Sequence, residues 1–345
     1  MKDLVTLEVN GKEYFGWTEV EIVSSIKHAA KTFTISVTEE KKSFGLGFEI
    51  TPGDECIIKI DGQLVLTGYI DLYEPSIEAE SHTVTLTGRS KTADIVDCSA
   101  VHVPGNFFEQ SLDQIAAALV EPFGIKVIVG ENVEFEPILK FELNQGESPF
   151  QAIERLARKE RTLVTDDKFG NLLLTNASTV RYDIVIDRYL SARATIDHSS
   201  RYSLYKVKGQ QHGPDFGDPL EASQVVGEST DAEITRFRPL IIRPESSTTL
   251  EEALRRAIFS RNRAIGESVN VTITVNGFHN SKNEKWEENK LIWLQDDVLG
   301  IEHEFLLHTV IFSKSNNGSI TELGFSLRTA FELPPVIEAI GALNV

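Results

Sequence analysis

The chain has 345 residues, 41% hydrophobic and 25% charged, a composition that suits a folded soluble protein with room for two or three cores. Its 34 Lys and Arg stand against 52 Asp and Glu, a formal charge of −18. A surface this acidic repels phosphate, which excludes a general nucleic-acid binder and a binder of anionic membranes, and it keeps an abundant protein soluble. Cys56 and Cys98 form no CxxC pair and are too few for a disulfide framework; Cys56 reads as a core residue. Met1 to Thr6 carries no signal-peptide pattern and no apolar run approaches ~20 residues. The expectation is a protein made and folded in the cytoplasm, without membrane insertion.

Residues 1–100 read as short, regularly punctuated strands. Leu4 to Val9 alternates and turns at Asn10-Gly11; Thr32 to Val37 alternates in the same way. Thr51-Pro52-Gly53-Asp54 turns into Cys56 to Ile60, Asp61-Gly62 turns into Leu64 to Leu66, and Gly68 to Asp71 opens the next strand. His82 to Gly88 puts Val84 and Leu86 on one face and Thr83, Thr85 and Thr87 on the other. The pattern predicts an antiparallel β-barrel or sandwich. Phe44-Gly45-Leu46-Gly47-Phe48 lacks a dinucleotide or Walker pattern and reads as a bulge or turn.

In residues 101–180 the apolar period changes. Ser111 with Gln114 has capping-box spacing, Leu112, Ile115, Ala116 and Leu119 share a helical face, and Pro122 with Gly124 ends the helix. After a strand at Ile125 to Val129, Ser148-Pro149 starts a second helix with Phe150, Ile153, Leu156 and Ala157 as its stripe. Leu163 to Thr165 and Leu172 to Leu174 read as a hairpin around Asp166-Asp167-Lys168-Phe169-Gly170-Asn171, whose carboxylates read as solvated turn residues. The zone is a small α/β insert domain.

Residues 181–332 return to strands with one helix. Leu204 to Val207 precedes a long polar loop over 210–233, and a helix over Leu250 to Ala264 has capping-box spacing at Thr248 with Glu251 and at Thr249 with Glu252. Glu251 with Arg255 and Glu252 with Arg256 are i,i+4 pairs, so the cluster Arg255, Arg256, Arg261 and Arg263 reads as a salt-bridged surface. Val269 to Val275, Leu291 to Leu294, Leu306 to Phe312 and Thr321 to Leu327 are strands, and their order echoes Cys56 to Leu86, as an internally duplicated barrel would. Residues 333–345 form an apolar tail in which Leu333, Val336, Ile337, Ile340 and Leu343 are candidate contacts to a neighbouring subunit or partner. The fold class is mainly β with an α+β insert: two similar small β-barrels and a small α/β domain.

The chemistry is sparse. His303-Glu304-Phe305-Leu306-Leu307-His308 misses the helical HExxH spacing by one residue and lies in a strand pattern. No nucleophile elbow occurs, and Asp296-Asp297 reads as a turn. No catalytic, cofactor-binding or metal-binding residue is assigned, no cofactor is expected, and the chain reads as a structural protein rather than an enzyme.

Three passages, in order, carry a resemblance. Thr51-Pro52-Gly53-Asp54 through Gly68-Tyr69-Ile70-Asp71 is similar to a passage of phage tail hub proteins; Gln145 to Phe150 through Ala157, then Asp167 to Leu174, resembles their inserted domain. Tyr205 to Gln210 with the Arg255 to Gly266 helix resembles their second barrel. The family is that of the Mu-like prophage 43-kDa tail proteins, relatives of the hub modules of T4-type baseplates and type VI secretion spikes. The resemblance implies a homotrimer whose paired barrels form a pseudo-six-fold ring in the baseplate of a contractile tail. That ring would join a central spike to the tail tube and other baseplate proteins; from the net charge alone, some of the excess carboxylates are expected to line a lumen that DNA passes. It departs from the pattern at Trp286-Glu287-Glu288-Asn289-Lys290, where a second Pro-Gly-Asp turn is expected, leaving the following register open. The alternatives are a tail-tip receptor- or carbohydrate-binding β-protein, which the scattered tryptophans do not favour, and a tail-associated cell-wall hydrolase, for which no carboxylate pair stands out.

Overall fold

The computed structural model describes residues 3–40, 50–78, 81–131, 133–160, 162–210, 224–244 and 249–331. The chain divides into two compact units, Met1–Arg193 with Val271–Phe325, and Ala194–Asn270 with Ser326–Val345.

The first strands are β1 (Val5–Val9), β2 (Lys12–Tyr14), β3 (Glu19–Ser25), β4 (Thr32–Glu40), β5 (Glu55–Ile60), β6 (Gln63–Ile77) and β7 (Ser81–Ser90). Asn10 and Gly11 at φ 52° and 72°, and Asp61 and Gly62 at φ 47° and 77°, make the two expected tight turns, because a two-residue hairpin loop that follows the strand twist needs positive φ at both positions. Gly53 at φ 96° lets the Pro-Gly-Asp turn reverse. Its amide donates to the Ile70 carbonyl (2.8 Å), and the Thr51 amide donates to the Asp54 carboxylate (2.8 Å), which holds that group below the usual carboxylate range. The Pro-Gly-Asp passage is thus a turn locked to β6.

The next segment carries α1 (Ala93–Asp97), β8 (Asn106–Gln110), α2 (Leu112–Val120), β9 (Val127–Val129), β10 (Ile138–Glu142), α3 (Pro149–Glu160), β11 (Leu163–Asp166) and β12 (Leu172–Thr175). The capping box at Ser111 and Gln114 is present, and Ser148 and Gln151 satisfy each other's amides at the start of α3. Their apolar stripes meet in a separate core holding Leu112, Ile115, Leu119, Ile153, Leu156 and Leu172.

Then come β13 (Ser191–Ile196), β14 (Leu204–Gln210), β15 (Gln224–Thr230), β16 (Pro239–Ile242) and α4 (Leu250–Glu267). Within the second unit, β14 is central to a three-stranded sheet with β15 and β16. The latter part of the loop expected over 210–233 is instead strand β15; its inward face is Val225, Gly227 and Ser229, with one large apolar residue only, so the period was hidden. Residues 211–223 lie outside the described residues, as do Phe44 to Phe48 and Thr248. Thr249 and Glu252 form the capping box of α4. Glu252 is therefore engaged at the cap, whereas Glu251 pairs with Arg255 as expected. A Cβ on Gly227 would lie 2.2 Å from the Ala253 carbonyl carbon, so only glycine lets α4 settle on β15. Gly227→Ala is expected to cost about 1–3 kcal/mol through overpacking; an unchanged denaturant midpoint would show that the helix yields freely.

The last strands are β17 (Val269–Asn276), β18 (Lys290–Asp296), β19 (Ile301–Ser315) and β20 (Gly318–Ser326). The large sheet runs β13-β17-β20-β19-β3-β4-β7-β6-β5-β1-β2, with β18 also on β19. Its join is β3 against β19, from Thr309 opposite Ser25 to Lys314 opposite Val20. The open register is now fixed: Lys290 lies opposite Leu307 and Leu294 opposite His303. Asn289, at φ 59°, donates its amide to the Leu307 carbonyl at 2.8 Å. It does for β19 what Gly53 does for β6, since Asn tolerates the left-handed region without a glycine.

Candidate assembly site

Among the described residues of the first unit, a buried charge node gathers groups that are far apart in the sequence. Lys31, 5% exposed, precedes β4 and donates from Nζ to the Asp166 carboxylate (2.8 Å) and carbonyl (2.9 Å), and lies 3.2 Å from the Glu288 carboxylate. Its own amide donates to Asp166 Oδ2 and Ser90 Oγ, both at 3.1 Å. Asp166 is 2% exposed at the end of β11, which corrects its reading as a solvated turn residue: the charge is taken up by a lysine 135 residues away. Asp167 does hold the turn, accepting from the Phe169 and Asn171 amides. Burial works against the Lys31 charge, but Glu288 and Asp166 outweigh it and raise its pKa. This node ties the strand framework, the insert hairpin and the stretch before β18 together.

The second unit has its own buried pair. Arg201, 3% exposed, holds Asp231 in a fork, Nε to Oδ2 and a terminal nitrogen to Oδ1, each 2.9 Å, and also reaches Glu233 at 2.7 Å.

The histidines of the near-HExxH passage stand on β19, where a spacing of five residues places them on opposite faces. His303 is exposed; His308 is buried, with Nδ1 2.8 Å from Thr309 Oγ1 and Nε2 3.3 Å from Lys27 Nζ. They share no site. Burial, then the Lys27 charge, pushes the His308 pKa down to about 3. The unfolded chain takes up its proton near pH 6.5 and the folded chain only near 3, so this group makes stability fall as pH drops through that window. Between pH 6 and 5, wild type should lose about 1.4 kcal/mol per pH unit more than His308→Gln. Parallel slopes in denaturant titrations would show that His308 titrates normally when folded.

Around β18 the surface opens into a cleft of about 750 Å³ bordered by Arg181, Tyr182, Val185, Trp293, His303 and Glu304. Arg181 and Glu304 pair across it at 2.5 Å, while Trp293 is 54% exposed and Val185 73% exposed. Trp17 and Trp286 are buried. Asp296 is a turn residue, accepting from the Val298 and Leu299 amides and from Tyr189. Cys56 is in the core and its thiol is pushed up to about 12 by burial; Cys98 is exposed. Leu333, Val336, Ile337, Ile340 and Leu343 lie outside the described residues. Among the described residues no helix is long and apolar enough to cross a membrane.

Two family models match consecutive stretches: the N-terminal domain of Mu phage baseplate assembly protein GpP-like proteins over residues 4–90, and the second domain of baseplate hub protein gp44-like proteins over residues 92–176. Baseplate hub protein gp44 of Escherichia phage Mu is 29% identical, over 97% of this chain and 90% of that one. The 43 kDa tail protein of prophage MuSo2 from Shewanella oneidensis is 33% identical, with a TM-score of 0.88 over 96% of this chain and all of that one. A tail protein from Neisseria meningitidis MC58 shares the fold at 22% identity, TM-score 0.78, over 97% of this chain and all of that one. A mainly β chain that these proteins match over almost its whole length belongs to the Mu-like baseplate hub family, the 43-kDa tail proteins.

Proposed function

We propose that this hub protein assembles as a homotrimer in the baseplate of a contractile tail, where paired β-barrels give a pseudo-six-fold ring joining a central spike to the tail tube. In this reading residues 1–100 and 181–332 are the barrels, 101–180 the insert, and 333–345 a tail that docks on a neighbouring subunit or the spike. The chain is read as a structural virion component rather than an enzyme: its buried charges pair internally, as Lys31 does with Asp166 and Arg201 with Asp231. The observation that carries the symmetry is the repeat of one device. A turn residue with positive φ, Gly53 or Asn289, donates to a 15-residue strand, β6 or β19, at Ile70 or Leu307. In each case the long strand lies between a shorter partner, β5 or β18, and a longer one, β7 or β20. Two equivalent sets per chain would give three chains six equivalent positions.

Light scattering on the purified protein should give three times the 38.4 kDa chain mass, and Trp293→Ala, which removes the exposed aromatic anchor of the cleft, should shift that mass toward the monomer. A wild-type monomer that stays monomeric with its spike protein would sink the ring. A trimer unaffected by Trp293→Ala would move the contact elsewhere, with deletion of 333–345 the next variant to weigh.

A further inference from the structure

We infer that two copies of this chain join by strand pairing, the stretch from Asp183 to Asp187 of one copy against β16 of the next. The inference rests on the trimer reading and names the surfaces that build it. β16 ends its sheet, with β14 on one side and no described strand on the other. The Ser203 amide donates to the Arg238 carbonyl at 2.9 Å, and Lys206 lies opposite Ile241 in a parallel register. Arg238, Leu240 and Ile242 therefore turn their backbone toward β14, while Pro239, Ile241 and Arg243 turn theirs outward. Leu240 and Ile242 pack on the core beneath α4. On the opposite face Phe237 is 87% and Ile241 54% exposed, and Arg243 is exposed beside them.

The other surface lies in the first unit. The Tyr182 amide donates to the Leu291 carbonyl at 2.8 Å and the Leu190 amide to that of Thr274 at 2.7 Å. Between them, Asp183 to Tyr189 make no backbone hydrogen bond to a described residue. Exposure alternates along this stretch as in an extended strand: Asp183, Val185 and Asp187 lie open, Ile184 and Ile186 are half-buried. Val185 and Asp187 border two clefts, so there is room beside the segment. An unpaired strand edge is a template for another strand. Run antiparallel, the two surfaces match: Val185 faces Ile241, Asp183 faces Arg243 and Tyr189 faces Phe237, an apolar, an ionic and an aromatic pair. Asp187 falls opposite Pro239, whose missing amide ends the ladder. On the other face Ile184 meets Ile242 and Ile186 meets Leu240. Arg188 falls opposite Arg238, but that guanidinium is already held by the Ser199 carbonyl at 2.6 Å and lies over the Tyr202 ring. A slip of two residues either way sets Asp183 or Asp187 against Ile241, so the register is specified. Asp183 is tied only by a surface pair with Lys282 at 2.9 Å, which is easily exchanged. Both surfaces belong to this chain and differ from each other. The contact is therefore heterologous, repeating from copy to copy until a ring closes.

The test uses full-length chains carrying Cys98→Ser, since Cys98 is exposed and Cys56 is in the core. Val185→Cys with Ile241→Cys should form disulfides between chains under mild oxidation, seen as covalent dimers and trimers on a non-reducing gel. Asp183→Cys with Ile241→Cys, diagonal in this register and beyond easy disulfide reach, should give far less. In light scattering, Asp183→Arg and Arg243→Asp should each weaken assembly by about tenfold or more, and the two together should restore it, because the pair is only reversed. All these positions are exposed, and circular dichroism confirms that each variant folds. A wild-type trimer with no cross-link between chains and no response to either reversal overturns the pairing and leaves the trimer standing. A disulfide confined within single chains overturns it as well. If the wild type is a monomer, the trimer reading fails by itself; covalent dimers of the cysteine variant then still carry the pairing, and their absence overturns it.

Discussion

Lys31→Met is expected to lower the free energy of unfolding by about 3–5 kcal/mol, the usual cost of removing one partner from a buried ion pair and stranding the other. The methionine fills much of the lysine volume, so little of the loss is cavity; what remains is Asp166 at 2% exposure and Glu288, with the cation gone. The dependence on pH follows from three shifts, of which the two carboxylates move in opposite directions. Lys31 has a raised pKa in the folded chain, so its contribution is whole below the unfolded value of 10.5 and fades only in stronger alkali. Glu288 is held low despite its burial, because Lys31 outweighs that cost; its contribution is whole above 4.5 and is lost as pH falls through the folded value. Asp166 shifts the other way: its burial outweighs Lys31 and raises its pKa. In the variant, with the cation gone, burial favours protonation of both carboxylates, so the deficit should be greatest in mild alkali and shrink as pH falls. Replacing the three charges together by apolar residues of similar volume should restore most of the loss. If Lys31→Met proves within 1 kcal/mol of wild type by urea unfolding (about the worth of an exposed pair), the node is solvated and the argument fails.

Arg201→Leu should cost a similar amount, about 3–5 kcal/mol, within the second unit. The fork on Asp231 is matched in geometry as well as charge, so Arg201→Lys should recover only part of it: a lysine brings one point charge where two parallel bonds are lost. The damage should appear in β14 and β15, because Asp231 directly follows β15 and its amide donates to the Ser203 carbonyl at 3.2 Å just before β14. Amide exchange at Leu204 to Val207 reads this directly. Protection in Arg201→Leu equal to that of wild type would show that the fork holds nothing in place.

The sequence was most readable where local chemistry settles local structure. Asn10-Gly11 and Asp61-Gly62 are turns for reasons contained in two residues, and the capping boxes at Ser111 and Thr249 act over four. The family resemblance rested on such passages, and the whole-length matches agree with it. Strand β3 is not among the sequence expectations, although Val20 and Ile22 alternate with Glu19 and Glu21 and Gly16, at φ 88°, stands just before it. Long-range charge was unreadable in principle. Asp166 and Asp167 are adjacent and identical in type, yet one is buried against Lys31 and the other caps a turn; only the folded chain brings the lysine to one of them. Likewise Asp61 is a turn residue by sequence, and nothing near it announces that Asp3 and His279 will meet there.

The join of β3 to β19 has a consequence for synthesis. Strands β1 to β7 find partners among themselves, and a ribosome delivers them first. One edge of β3 then waits, since its partner pairs from Thr309 to Lys314, more than 200 residues later. At the ~5–20 residues per second of translation, that edge stands open for roughly ten seconds or more on every nascent chain. An open edge with alternating apolar residues is a template for pairing with another chain, and a hub is made beside copies of itself. The charges facing out of β3, Glu19 and Glu21, then act as guards during those seconds, repelling the same strand of a neighbouring nascent chain until the distant partner is made.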